Sequence, residues 1–72
     1  MDFDNAIFAK RLQDMRKEKG FSNEKLGKLI GTNSGSISRW ENQKITPNIV
    51  FIFRLSKTLG VSADYLLGLT DY

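Results

Sequence analysis

"IGTNSGSISRWENQK", residues 30 to 44, decides how this chain is read. The run sets the protein's single tryptophan among two glycines and three serines. Gly31 suits a tight turn, and Asn33 can accept hydrogen bonds from the free N–H groups of a helix start. The spacing predicts a helix over 34–42. At about 100° per residue, Ser34, Gly35, Ser38, Arg39 and Asn42 share one arc, and Ser36, Ile37 and Trp40 share the other. The inner arc can anchor the helix to a body. The outer arc is short, polar and carries one cation.

Working back, residues 23–30 read as a short helix capped by Ser22. It buries Leu26, Leu29 and Ile30 and stops at Gly31. Residues 5–19 read as a longer helix with an apolar stripe of Ile7, Phe8, Leu12 and Met15. Lys17 and Lys19 suit its last turn, and Gly20 ends it. Working forward, Pro47 breaks the chain. Asn48 caps a helix over 49–59 ended by Gly60, and Ser62 caps a last one over 63–67 stopped by Gly68. Ile49–Phe53 has strand-like composition, but the cap before it and the Arg54–Leu59 run after it favour helix. No strand or internal repeat is expected. The reading is an all-α fold, a compact single domain of five helices. Its core is expected to hold Phe8, Leu12, Met15, Leu26, Ile30, Ile37, Ile52, Leu55, Leu59, Val61 and Leu66.

The chain has 72 residues, with neither cysteine nor histidine. A disulfide, a Cys or His metal site, a cysteine nucleophile and a Ser–His–acid triad are all excluded. Ser56 and Lys57 are neighbours and point apart on a helix, so they form no dyad. No cofactor and no enzymatic activity are expected. The start Met1-Asp2-Phe3-Asp4 is acidic, with no basic run before an apolar stretch, and the longest apolar run is Ile49–Phe53. No signal peptide and no membrane span are expected, hence a cytoplasmic protein.

Net charge is +3, and its location is informative. Residues 19–44 hold Lys19, Lys25, Lys28, Arg39 and Lys44 against Glu24 and Glu41, while the rest of the chain cancels. One electropositive face is expected. Two short helices around a tight turn, the second with an apolar and a short polar arc, fit a helix-turn-helix. Gly31 serves the turn, and Gly27 lets the helices cross closely. The outer arc is then free to enter a DNA major groove, and its short side chains let the backbone approach the bases.

The residues that carry a family resemblance are Arg11-Leu12 and Met15-Arg16; Lys19-Gly20-Phe21-Ser22; Leu26-Gly27; Ile30-Gly31; Ile37-Ser38-Arg39-Trp40-Glu41-Asn42; Pro47; and Leu59-Gly60-Val61-Ser62-Ala63-Asp64-Tyr65-Leu66-Leu67-Gly68. From about Phe8 to Gly68 the chain resembles the lambda repressor and Cro type of helix-turn-helix domain, the XRE family. The resemblance implies that Arg39, Ser34 and Gly35 occupy base-contacting positions. Arg39 is the first choice, because Arg pairs bidentately with guanine, worth about 1–3 kcal/mol of discrimination. Solvated arginine is the plainer reading. Phosphate contacts are expected from Asn23, Thr32, Ser38, Asn42 and Lys44, although capping serves equally well for Ser38 and Asn42. Arg16 and Glu41 match a pair that in this family bridges the first helix to the end of the third. Three positions depart from the pattern. Asn23 stands where Gln is usual, Gly27 replaces Ala, and Gln43 stands where Gly is common.

The expected function is a sequence-specific regulator of transcription on double-stranded DNA, a repressor acting as a homodimer on a two-fold operator. The alternative is an antitoxin-like or other protein-interaction module on the same scaffold, answering to a protein effector or antirepressor. Val50, Phe51 or Leu69–Tyr72 would supply a self-association patch.

Overall fold

In the computed structural model, which describes residues 2–72, five helices follow in chain order: α1 Asn5–Glu18, α2 Asn23–Ile30, α3 Ser34–Glu41, α4 Ile49–Leu59 and α5 Ala63–Leu67. Each starts on a short polar side chain that accepts a backbone N–H. Asp4 accepts from Ala6, Ser22 from Lys25, Asn33 from Ser36, Asn48 from Phe51 and Ser62 from Tyr65. Each such cap is worth about 1 kcal/mol. Two helices end one residue earlier than the spacing predicts. Lys19 and Asn42 are C-cap residues whose N–H groups still bond back into the helix; Lys19 stays in the right-handed region while the dihedrals of Asn42 leave it.

The core gathers Phe8, Leu12, Leu26, Ile30, Ile37, Trp40, Ile52, Leu55, Leu59 and Leu66 from all five helices. Burying each large apolar side chain contributes about 1.5–3 kcal/mol. Met15, Val61 and Phe51 lie half-buried at its edge.

Two residues that the apolar spacing places on the inner faces of α1 and α2 are outside. Ile7 is 38% and Leu29 is 47% exposed. Leu29 is displaced by Gly27, whose absent side chain brings the next helix in close. A Cβ built on Gly27 would sit 2.7 Å from the carbonyl carbon of Asn33 and 2.9 Å from its Cα. That approach centres the inner arc of α2 between Leu26 and Gly27 and turns Leu29 outward. Ile7 lies on the rim of α1, against the chain at Gly68.

Among the described residues no helix is long and apolar enough to cross a membrane.

Candidate nucleic-acid interface

The site is built on α2, its turn and α3. Gly31 takes a left-handed φ of 86°, which only glycine adopts without strain, and Thr32 N–H then donates to Gly27 O at 2.8 Å. The Thr32 hydroxyl donates to Ser36 Oγ at 2.8 Å, so two small polar groups satisfy each other where the turn meets α3. Arg54 of α4 donates to Ile30 O at 3.0 Å and so ties off the last turn of α2. No sequence pattern points to that contact.

The inner arc of α3 is fixed by packing. Ile37 is fully buried, Trp40 is 3% exposed, and the Trp40 ring lies 5.4 Å from that of Phe51. Phe51 is therefore a support for α3, not part of an exposed Val-Phe pair as the sequence suggests. Beside Trp40, Arg16 Nε donates to Glu41 Oε2 at 2.6 Å and Nη2 to Oε1 at 3.1 Å. Arg16 Nη1 also donates to Phe21 O at 2.8 Å. Their side chains are only 12% and 5% exposed. One guanidinium thus joins α1, the α1–α2 link and the end of α3. The bidentate geometry and extra acceptor suit a pair removed from water.

The outer arc is bare by contrast. Ser34 and Arg39 are exposed, and Gly35 and Ser38 are half-buried. Arg39 forms no ion pair among the described residues. Glu41 is committed to Arg16 inside, and Glu24 sits 3.4 Å from Lys28 on the surface. No acid in this segment is left to neutralise Lys25, Arg39 or Lys44, so the face is electropositive.

The expected phosphate-contacting residues divide into two groups. Asn42 Nδ2 donates to Ser38 O at 2.8 Å and to Ser38 Oγ at 3.3 Å, so both side chains close the end of α3. Thr32 is engaged with Ser36. Asn23, at the first position of α2, keeps its Oδ1 buried without a protein partner. Lys44 is exposed just past the end of α3, its N–H donating to Arg39 O at 2.9 Å. Between them Gln43 holds a positive φ of 61°, a conformation that costs a side-chain-bearing residue about 1 kcal/mol. The chain makes the turn where a glycine would be unstrained. Among the described residues no cluster of acidic side chains could hold a metal ion.

A family model described as helix-turn-helix matches residues 12–66. Repressor protein C2 of Salmonella phage P22 is 36% identical over 61 residues, 85% of this chain and 28% of that protein. The SPbeta prophage-derived HTH-type transcriptional regulator YonR of Bacillus subtilis (strain 168) is 33% identical over 61 residues, 85% of this chain and 56% of YonR. The chain thus spans between about a quarter and just over half of these two relatives. The crystal structure of the P22 c2 repressor in complex with a synthetic operator matches with a TM-score of 0.82 at 36% identity, covering 85% of this chain and 92% of that one.

Proposed function

The chain belongs to the helix-turn-helix family, and from that premise we propose that it is a transcriptional repressor that binds double-stranded DNA sequence-specifically, as a homodimer on a two-fold operator. The observation that carries this is the split of α3: an inner arc locked by Ile37, Trp40 and the Arg16–Glu41 pair, and an outer arc with an unpaired Arg39 among short polar groups. A rigid helix with one free, planar, five-donor cation suits a major groove, where guanine offers two acceptors side by side. Arg39 reads a base, with Ser34 and Gly35 close to neighbouring base edges. Lys44, Asn23 and the backbone N–H groups near Thr32 meet phosphates. Ser38 and Asn42 support them by shaping the end of α3. One copy per half-site would set the half-sites one helical turn, about 34 Å, apart. Such a regulator works in the cytoplasm, on the nucleoid.

Selection of bound sites from a random DNA library tests this, repeated with Arg39→Ala. The wild type should enrich a two-fold motif, and the variant should lose preference at one base pair per half-site, by about 1–3 kcal/mol. Affinity should fall steeply with salt as counterions are released. A motif unchanged in the variant removes Arg39 from readout.

A second reading is a module whose DNA binding is coupled to a protein partner. It is favoured by an apolar depression lined by Phe3, Ile7, Leu67 and Leu69, with Asp2 and Asp4 beside it. Stable, operator-binding protein purified alone speaks against that reading; dependence on a co-expressed partner speaks for it.

A further inference from the structure

Gly35 is a glycine that the backbone does not require. It lies in the first turn of α3, and its φ is not among the positive ones of this chain. Alanine would suit a helix better there. Beside the place of the missing side chain lie the Asn33 cap and the Arg39 guanidinium. A Cβ built on Gly35 would lie 3.3 Å from Arg39 Nη1 and 3.6 Å from Nη2, with Asn33 Oδ1 at 3.2 Å. Helical side chains lean toward the N-terminus, and residues four apart stand one above the other. Arg39 is long enough to reach back a full turn. Its two terminal nitrogens rest there beside a position that presents only backbone.

We propose that Gly35 is a positioning residue for Arg39. It seats the guanidinium over the first turn of α3, so that the fork meets the base pair facing residue 35, not one facing residue 39. Positions 35 and 39 then act as a single reading element. Ser34 and Ser38, which flank that element on the same arc, are too short to compete for the same base edge. The inference rests on the proposed DNA binding. It reassigns Gly35 from a base contact of its own to the seat of another residue's contact.

The test is a double-mutant cycle on the operator selected by the wild type. Affinities for that operator and for its variant at the Arg39-dependent base pair are measured by fluorescence anisotropy for wild type, Gly35→Val, Arg39→Ala and the double variant. Gly35→Val should cost about tenfold in preference at that base pair when Arg39 is present, and have little effect once residue 39 is alanine. Contacts that valine itself makes to DNA appear in both backgrounds and cancel. Gly35→Ala should give a smaller shift in the same direction, because the guanidinium need move only a few tenths of an ångström. Thermal unfolding of both variants is followed alongside, because the added Cβ gains helix propensity but also approaches the Asn33 cap. Any global loss of stability it causes is the same in both residue-39 backgrounds and cancels in the cycle. Equal effects of Gly35→Val in the two backgrounds would overturn the proposal. A wild type that selects no sequence at all would instead overturn the DNA-binding reading, and this one with it.

Discussion

α3 and α4 begin alike and present opposite surfaces. Each is capped by an asparagine and each packs an apolar arc on the same core. Outward, α3 shows serines, a glycine and one arginine. α4 shows Ile49, Val50 and Phe53, at 83%, 50% and 62% exposure. A polar arc with an uncompensated cation is stable in water and gains by meeting phosphates and base edges. An apolar arc gains only by leaving water, which on a protein surface means another apolar surface. One small core thus carries two chemically opposite surfaces, a polar one on α3 that fits the proposed DNA contact and an apolar one on α4 that fits the proposed homodimer. The α3 surface needs a rigid mount, and the buried Arg16–Glu41 pair supplies it.

The most damaging way to break that contrast is to release α3. Glu41→Ala strands Arg16 in a site almost closed to water and should cost about 3–5 kcal/mol. In a domain this small that lowers the thermal midpoint by roughly 15 °C or more, followed by circular dichroism. A drop of only a few degrees would mean that packing alone holds the helix. Gly27→Ala is next. It improves α2 as an isolated helix, yet its Cβ meets the Asn33 backbone, so we expect a net loss of about 1–3 kcal/mol in urea unfolding. A stabilised variant would show that α3 can move away freely. Phe53→Glu probes the α4 surface. With α4 as the contact of the proposed homodimer, it should weaken self-association by on the order of 1–2 kcal/mol in analytical ultracentrifugation while leaving base preference intact. Arg39→Ala should do the reverse, and any crossing of the two effects would merge the surfaces that the contrast separates. The smallest change is Gln43→Gly, which relieves a strained turn beside α3 and should raise stability by less than about 1 kcal/mol.

The five helices are legible in the sequence because their signals are local: a short polar cap, apolar residues at helical spacing, and a glycine after the last turn. The outer arc of α3 is legible for the same reason. Ile7 and Leu29 are misplaced because periodicity reports a stripe but not where its centre faces, and the centre of α2 is set by the contact at Gly27. Val50 and Phe51 look like one patch, yet only Phe51 turns in, toward a tryptophan on another helix. Arg16 and Glu41 are 25 residues apart, and only the family resemblance links them in advance. Arg54 is invisible altogether, since its partner is a main-chain oxygen 24 residues away. The place where Arg39 rests is equally hidden, because a glycine's reason for being absent of side chain shows only in three dimensions.

Arg11 holds the far end of the chain in a comparable way. Its Nη1 donates at 2.6 Å to the carbonyl oxygens of Tyr65 and Thr70, and its guanidinium lies 4.3 Å from the Tyr65 ring centroid. Both acceptors are groups that every amino acid supplies. Position 70 can therefore drift through almost any replacement without losing the clasp. Lysine at position 11 has N–H donors but no flat guanidinium to lie against the Tyr65 ring, so it cannot reproduce the whole clasp. The tolerance of the tail to mutation is thus underwritten by the intolerance of a single site 59 residues upstream.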